Sequence, residues 1–217
     1  MQPSHHPDQA SILAFAARTL APAFNVVIAS HLPACGACRA AVRAAEAIGG
    51  KLIDELDEAD VSKACRARTM ALLDGAILHR FPAPKPPASE IPAALAALLS
   101  QSSLEDLPWQ KKAPGVALCD VPIPGPARGI LMLLRVAPGH AVPEHGHGGE
   151  EITLVLCGAY RDHLGRFARG DVADIGADVE HRPVAEAGPD CVCLVAMDQP
   201  PRFKSMVARL LQPFIGI

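Results

Sequence analysis

The sequence predicts an α+β protein of two domains, an all-α helical domain followed by a small all-β barrel. Three observations support this prediction. Apolar residues recur at helical spacing in the first 80 residues, short β-rich segments divided by Gly and Pro follow from about Leu104, and a proline-rich stretch separates the two patterns. We therefore place the helical domain at 1–80, a linker with a short helix at 81–103, and the barrel at 104–217.

Four helices are predicted in the helical domain. The first begins after His6-Pro7-Asp8, because proline is tolerated in a first helical turn, and the second begins at Pro22. The third runs from about Ala34 to Ile48 and is expected to end at Gly49-Gly50, which is a typical C-terminal signal. The fourth covers roughly residues 61–79.

The linker and the strands follow from Pro and Gly placement. Five prolines between Phe81 and Pro92 favour a stiff, extended chain, and a short helix is predicted at Ala93 to Leu99. Regularly spaced short strands are typical of a barrel. The predicted strands are Val116–Val121, Ile130–Val136, Ile152–Leu156, Val172–Ile175 and Cys191–Ala196. The apolar tail from Phe203 predicts a final helix or strand.

Composition limits the classes of function. The net charge is −3 without a basic run, so direct nucleic-acid binding, which needs clustered Lys and Arg, is not expected. No apolar run reaches about 18 residues, and the N-terminus lacks a basic stretch followed by an apolar one. Neither a membrane span nor a signal peptide is therefore predicted. Seven Cys in such a chain indicate thiols or metal ligands of a cytoplasmic protein.

A group of metal-binding residue types lies within Gly139–Gly158. His145, His147 and Glu151 follow H-x-H-x3-E spacing. Side chains alternate along a strand, so both imidazoles point to one side, and the carboxylate returns to that side after a Gly-Gly turn. Nitrogen and oxygen donors of this kind suit zinc, manganese, iron or nickel. His181 is the best candidate for a fourth ligand.

The spacing matches the first cupin motif, G-x5-H-x-H-x3-E-x6-G, at every fixed position. The second cupin motif is matched more loosely, with Gly170 and His181 in place but other residues at its Pro, second Gly and Asn positions. The resemblance implies a cupin-like antiparallel barrel with a metal inside. Surface histidines on a Gly-rich loop are the alternative, which the complete spacing disfavours.

The helical domain contains a second group of metal-binding residue types, His31-x3-Cys35-x2-Cys38. The two cysteines lie one turn apart at a predicted helix start, where the helix dipole favours the thiolate that zinc binds. Three ligands leave one place in a closed tetrahedral site, and His6 or its neighbour His5 is the obvious candidate. The alternatives are an unliganded N-terminal histidine pair and a redox C-x2-C, whose usual flanking strand and proline are missing.

Together, His6-x24-His31-x3-Cys35-x2-Cys38 resembles the zinc-binding anti-sigma domain, and this interval selects His6 over His5. With a linker and a cupin-like domain behind it, the chain resembles the ChrR group of zinc anti-sigma factors over nearly its whole length. The resemblance implies a Zn²⁺ in the N-terminal site and inhibition of an extracytoplasmic-function sigma factor by the N-terminal domain. It also implies release of that partner through the cupin-like domain under singlet oxygen or organic peroxide stress.

Two other functions are weighed against this one. A metal-dependent cupin enzyme such as a dioxygenase needs an open metal position and a substrate pocket, but it gives the helical metal site no use. A metal-responsive regulator that contacts DNA is disfavoured by the balanced charges and by the lack of a basic recognition helix. We therefore predict a regulatory protein rather than an enzyme.

Cys191 and Cys193 lie two residues apart on a predicted strand, so their side chains face the same side. Two small buried hydrophobic residues are the favoured interpretation. Joint oxidation is the alternative, although residues at i and i+2 are awkward for a disulfide.

Overall fold

The structure, a computed structural model, describes residues 2–75, 91–99, 101, 103–123 and 129–204. Helices occupy the first part and strands the second, as predicted. Most of the proline-rich linker and the apolar tail beyond residue 204 lie outside the described residues, so the domain boundaries remain a prediction. No described helix combines the length and the apolar character needed to cross a membrane.

Each helix begins within two residues of its predicted start, and the short helix after the linker ends at Ala96 rather than Leu99. Asp8 caps the first helix, because its Oδ1 accepts a hydrogen bond from the Ser11 backbone N at 2.6 Å. A 3₁₀ turn separates the second helix from the third. The helices are α1 Gln9–Ala16, α2 Pro22–His31, α3 Gly36–Asp54, α4 Lys63–Gly75 and α5 Ala93–Ala96.

The predicted end of the third helix is wrong. Helix α3 continues through Gly49-Gly50 to Asp54, and Glu55 is its C-cap. Glycine ends helices by adopting a left-handed conformation, and neither of these two glycines does so. A glycine in helical conformation costs only about 1 kcal/mol, so the helix propagates through both. Residues 76–79 of the predicted fourth helix lie outside the described residues.

The strands form one large and two small antiparallel sheets. The large sheet has the order β1-β2-β3-β11-β5-β8, and the small ones have the orders β10-β6-β7 and β12-β4-β9. The strands are β1 Gln110–Ala113, β2 Val116–Asp120, β3 Ile130–Val136, β4 His145–Gly146, β5 Glu151–Cys157, β6 Ala159–Asp162, β7 Gly165–Ala168, β8 Val172–Ile175, β9 Glu180–His181, β10 Val184–Ala185, β11 Cys191–Met197 and β12 Arg202–Phe203. All five predicted strands are present within one residue at each end.

Strand β11 is buried on both faces, which explains its unbroken apolar sequence. Cys191, Cys193 and Val195 point into the barrel interior, and Leu194 and Ala196 point outward. Such alternation leaves an outward apolar face that another element must cover.

Helix α2 covers that outward face. Phe24, Val27 and Ile28 are at most 4% exposed and belong to the same apolar core as Leu194 and Ala196. The helix contacts β11, β5 and β3. Helix α2 and the barrel therefore share one core, which places the end of α2 beside the barrel.

Candidate metal centres

Antiparallel pairing positions the barrel donors. His145 on β4 lies directly opposite His181 on β9, and residues opposite each other in antiparallel strands share a face. His147 follows two residues after His145, so it returns to that face. The three rings are nearly fully buried, and one nitrogen from each lies within 4.8 Å of the others. The fold thus assembles three imidazoles around a common point.

Hydrogen bonds at the far side of two rings select their tautomers. His145 Nδ1 donates to the Pro143 carbonyl at 2.8 Å, and His181 Nδ1 donates to Asp162 Oδ2 at 2.8 Å. In the neutral tautomers that these bonds select, both Nε2 atoms carry lone pairs. These two Nε2 atoms are 3.1 Å apart. Ligands on one metal ion with bonds of about 2.0–2.1 Å have this separation, so the arrangement fits a metal.

Glu151 lies beside the three rings. Its Oε2 is 3.3 Å from His147 Nδ1, and its Oε1 accepts a hydrogen bond from the Thr153 hydroxyl at 3.0 Å. The group of donor atoms within 4.8 Å contains the three histidines, and the carboxylate stands next to it. Within the described part of the chain, His147 Nε2 is buried without a hydrogen-bond partner, which suits a metal-facing nitrogen. Glu151 as a ligand stays a prediction.

Burial and neighbouring groups set the protonation states of His145 and Glu151. Burial lowers the pKa of His145, so its ring is neutral at physiological pH. Burial alone would raise the pKa of Glu151, but the hydrogen bond and charge of His147 bring that pKa below its ordinary value. A neutral imidazole and an ionised carboxylate are the protonation states that bind metals.

A cavity of about 170 Å³ opens onto the barrel donors. Its lining is largely apolar and includes Val116, Met132 and Val195 together with His145 and His181. Cys191 and Cys193 also line it, and their Sγ atoms are 3.7 Å apart. Apolar cavities of about 150 Å³ admit molecules as large as benzene, so a small molecule can reach this site.

The structure explains why the last position of the first cupin motif is a glycine. Gly158 has φ +67°, and a Cβ there would lie 2.7 Å from the Asp190 carbonyl oxygen. Only glycine tolerates both the conformation and the contact. The turn that it allows begins the β6–β7 hairpin, which carries Asp162 under His181.

The helical donors come from three separate segments. His6 precedes α1, His31 ends α2, and Cys35 and Cys38 stand at the N-terminus of α3. Cys35 is the N-cap of that helix, where its Sγ accepts a hydrogen bond from the Cys38 backbone N at 3.4 Å. All four donor atoms lie within 4.8 Å of one another, and all four residues except His6 are buried.

The separations of these donors suit a tetrahedral ion. His31 Nε2 is 3.3 Å from Cys38 Sγ, and His6 Nδ1 is 3.4 Å from Cys35 Sγ and 3.5 Å from Cys38 Sγ. Zinc bonds of about 2.3 Å to sulfur and 2.0–2.1 Å to nitrogen imply about 3.5 Å between such ligands. The residues present therefore fit a closed site that holds a metal ion.

Burial dominates the thiol chemistry of this group. Burial and the neighbouring Cys35 thiol raise the pKa of Cys38 to about 12, despite its place in the first turn of a helix. Burial also lowers the pKa of His31, so its ring is neutral. A metal ion that binds here must therefore displace the proton of Cys38.

Comparison with known proteins identifies the family. Residues 101–200 match the family described as ChrR Cupin-like domain. Over 213 residues, the chain is 43% identical to the anti-sigma-E factor ChrR of Cereibacter sphaeroides, and the alignment covers 98% of both chains. The chain belongs to the ChrR family. A solved structure of Rhodobacter sphaeroides SigE in complex with the anti-sigma ChrR also matches, with 41% identity, a TM-score of 0.76, and coverage of 91% of this chain and all of that one.

ChrR membership decides between the functions considered from the sequence. The resemblance to the ChrR group and the α+β fold with a cupin-like barrel are confirmed. The similar protein over the full length is a regulatory anti-sigma factor, so the dioxygenase alternative is not retained.

Sequence reasoning missed residues that orient the donors of this ChrR-family chain. The side chain of Asp162, at the end of β6, is 1% exposed and forms a hydrogen bond with His181, although Asp162 belongs to neither cupin motif. The Gly170 carbonyl accepts a hydrogen bond from His31 Nδ1 at 2.9 Å across 139 residues of sequence. No local sequence pattern signals such contacts, because they depend on how distant elements pack.

Proposed function

We propose that this protein is an anti-sigma factor that binds an extracytoplasmic-function sigma factor and withholds it from RNA polymerase. The similar ChrR of Rhodobacter sphaeroides was solved in complex with SigE, which supports a sigma factor as the partner. Because RNA polymerase works in the cytoplasm, we propose that the protein acts there. The helices contact the sigma factor, and the barrel controls its release.

The observation that carries this proposal is a group of exposed apolar side chains on α3, on α4 and on the segment between them. Among the described residues, eight of the ten exposed large apolar side chains lie between residues 48 and 73. We call this set the α3–α4 apolar surface; it comprises Ile48, Leu52, Ile53, Leu56, Val61, Met70, Leu72 and Leu73. Monomeric proteins rarely leave so many large apolar side chains in water unless a partner covers them.

Helix α4 needs such a partner for its own stability. From residue 63 to residue 73, every side chain except Cys65 is exposed. An isolated helix of about 13 residues is marginal in water, because packing rather than propensity stabilises most protein helices. A helical partner such as a sigma factor can bury this face in a groove.

Zinc is the proposed ion of the helical site. His6, His31, Cys35 and Cys38 supply two nitrogens and two sulfurs, and this set is typical of structural zinc. With all four positions filled by protein, the ion has no open position for chemistry, so its role is to hold α1, α2 and α3 together. The zinc site thereby positions the helix that carries the first part of the α3–α4 apolar surface.

The barrel is proposed to sense oxidative stress, either singlet oxygen or an organic peroxide. His145, His147 and His181 would hold zinc or another divalent metal such as manganese, iron or nickel, with Glu151 as the fourth predicted ligand. A metal held by these residues would supply a Lewis acid beside the cavity. The adjoining cavity offers space for a small oxidant, and the Cys191 and Cys193 thiols that line it are groups that such an oxidant could modify.

Binding is tested first, with the full chain and the extracytoplasmic-function sigma factors of its source organism, beginning with any encoded beside its gene. The zinc-loaded protein is expected to bind one of them and to block its association with RNA polymerase core. Zinc-stripped protein is expected to bind more weakly. If the folded, zinc-loaded protein binds none of these sigma factors, the proposed function is wrong.

Release is tested separately, with His145, His147 and Glu151 all changed to Ala. This variant is expected to inhibit the sigma factor normally but to retain it under singlet oxygen or peroxide stress. Sigma-dependent transcription in cells is the measurement. Normal release by the triple variant would contradict the sensing role of the barrel without touching the inhibitory role of the helices.

A further inference from the structure

The segment that carries the zinc ligand His6 lies on the barrel. We call residues 3–8 the N-terminal strap. Strand β8 is the terminal strand of the large sheet, so its outer edge has no strand neighbour in that sheet among the described residues. The Val172 backbone N donates a hydrogen bond to the His5 carbonyl at 3.2 Å. The strap thus occupies the free edge of β8, in the manner of an added strand.

One buried carboxylate anchors the strap. Asp171 is 4% exposed, and its Oδ1 accepts hydrogen bonds from the backbone N atoms of Ser4 and His5, the latter at 3.1 Å. Its Oδ2 accepts a hydrogen bond from the Ala168 backbone N at 2.8 Å. The same side chain therefore fixes the β7–β8 turn of the barrel and the strap that carries a zinc ligand.

Further contacts hold the strap on both sides of this anchor. The His5 ring packs on the Phe167 ring, with centroids 4.4 Å apart. The Asp8 backbone N donates to Asp174 Oδ2 at 3.0 Å. Pro7, which follows His6, is buried. The strap is therefore seated along its length, and His6 is held between two fixed points.

The barrel also orients a second zinc ligand. His31 is fully buried, and its Nδ1 donates to the Gly170 carbonyl at 2.9 Å, which leaves Nε2 free to bind the ion. Gly170 has φ +94°, a conformation that glycine tolerates, and a Cβ there would lie 3.3 Å from Pro3. The β7–β8 turn therefore contacts both the strap that carries His6 and the ring of His31.

We propose that the barrel orients the histidine ligands of the zinc site in the helical part, with Asp171 as a positioning residue for His6 and the Gly170 carbonyl as the orienting acceptor for His31. This inference rests on the proposed zinc in that site. Outer partners of metal ligands fix ligand orientation, and their removal typically weakens metal binding about 10- to 100-fold. A change in the β7–β8 turn would then loosen the zinc-held helices without any contact to their partner.

Cobalt substitution of the full-length protein tests the proposal. Cysteine occurs in the helical metal group but not in the barrel group, so thiolate-to-cobalt absorption bands report the helical site alone. The double variant His5→Ala, Asp171→Asn is expected to release this cobalt to a chelator about ten-fold faster than the wild type. Hydrogen exchange at the amides of Ser4, His5 and Val172 is expected to accelerate in parallel.

Two further variants make the result decisive. Asp190→Asn alters a barrel carboxylate that is 46% exposed and pairs with Arg135, and it is expected to release cobalt at the wild-type rate. His5→Ala alone changes only the strap. Faster cobalt release by this variant would therefore show an effect of the strap even if Asp171→Asn disturbs the β7–β8 turn. Equal release rates in wild type, His5→Ala and the double variant, with equal exchange of the strap amides, would overturn the proposal. If the wild type shows no thiolate bands, the zinc site itself is wrong and the inference falls with it.

Discussion

The two metal centres differ in what holds their donors in place. In the barrel, paired strands set His145 opposite His181, and each ring is fixed from behind by a hydrogen bond. In the helical part, four donors come from three segments, and His6 is exposed on the strap. The barrel site is therefore organised by the fold, whereas the helical site helps to organise the fold around it. The difference is consistent with the proposed division of roles, in which the barrel site senses stress and the helical site, whose integrity is coupled to folding, supports inhibition.

Substituting the ligands of each metal site in turn should give the largest difference in hydrogen exchange and in sigma-factor binding. Changing Cys35 and Cys38 to Ser is expected to expose the amides of α3 to hydrogen exchange and to weaken sigma-factor binding at least about 100-fold, because few other side chains of α3 are buried. Helix α2 should stay protected, since Phe24 and Val27 pack on the barrel. Changing His147 to Ala should leave the exchange of both helices unchanged. Equal protection of the α3 amides in the Cys35, Cys38 variant and in His147→Ala would contradict the proposed difference between the two metal sites.

The α3–α4 apolar surface should account for the next largest effect. Leu52 is 61% exposed and Leu72 is 74% exposed. Replacing both by Asp is expected to weaken sigma-factor binding about 30-fold without lowering the melting temperature. Leu13→Asp is the matched control, because that side chain is 53% exposed but lies on α1. Calorimetric titration of the three proteins measures the effect. A loss of affinity in the Leu13 variant equal to that in the Leu52 and Leu72 variant would place the contact elsewhere.

The pH dependence of metal affinity should also separate the two sites. The pKa of Cys38 is raised to about 12, so its thiol is protonated at neutral pH and zinc binding releases that proton. Zinc affinity of the helical site should therefore rise at least about ten-fold per pH unit as the pH increases. Burial lowers the pKa of His145, so this donor has no proton to release at neutral pH, and the barrel affinity should change less with pH than that of the helical site. Competition with a chelator at several pH values measures both, and parallel slopes would contradict this difference.

The smallest effect is expected from Asp162. Asp162→Asn keeps the shape of the side chain but removes the charge that holds His181 Nδ1, so metal affinity of the barrel should fall up to about ten-fold. The thiolate bands of the cobalt-loaded helical site should be unchanged. Glu186→Gln, which alters a carboxylate bound to Arg161 and Arg166 at the barrel surface, is the control. Equal barrel affinities in wild type and Asp162→Asn would show that the hydrogen bond does not tune the site.

Much of the fold and of both donor sets could be predicted because the signals are local. Periodicity located α2 and the strands β3, β8 and β11, and motif spacing selected the donors that the structure gathers into two groups. The end of α3 could not be predicted, because whether Gly49-Gly50 stops a helix depends on the conformation that the two glycines adopt. Seven of the described strands were missed, since segments of two to four residues carry little periodicity: β1, β4, β6, β7, β9, β10 and β12.

The sequence alone determined that a helical part precedes a strand-rich part, the types of donor and the family resemblance, because residue type and spacing encode coordination chemistry and secondary-structure period. Only the tertiary structure decided which residues support those donors. The contacts of Asp162 with His181 and of Gly170 with His31 join elements that are distant in sequence or unmarked by any motif. Such contacts arise when α2 covers the outer face of β11 and the strap settles on β8, and packing of this kind depends on the shapes of both surfaces.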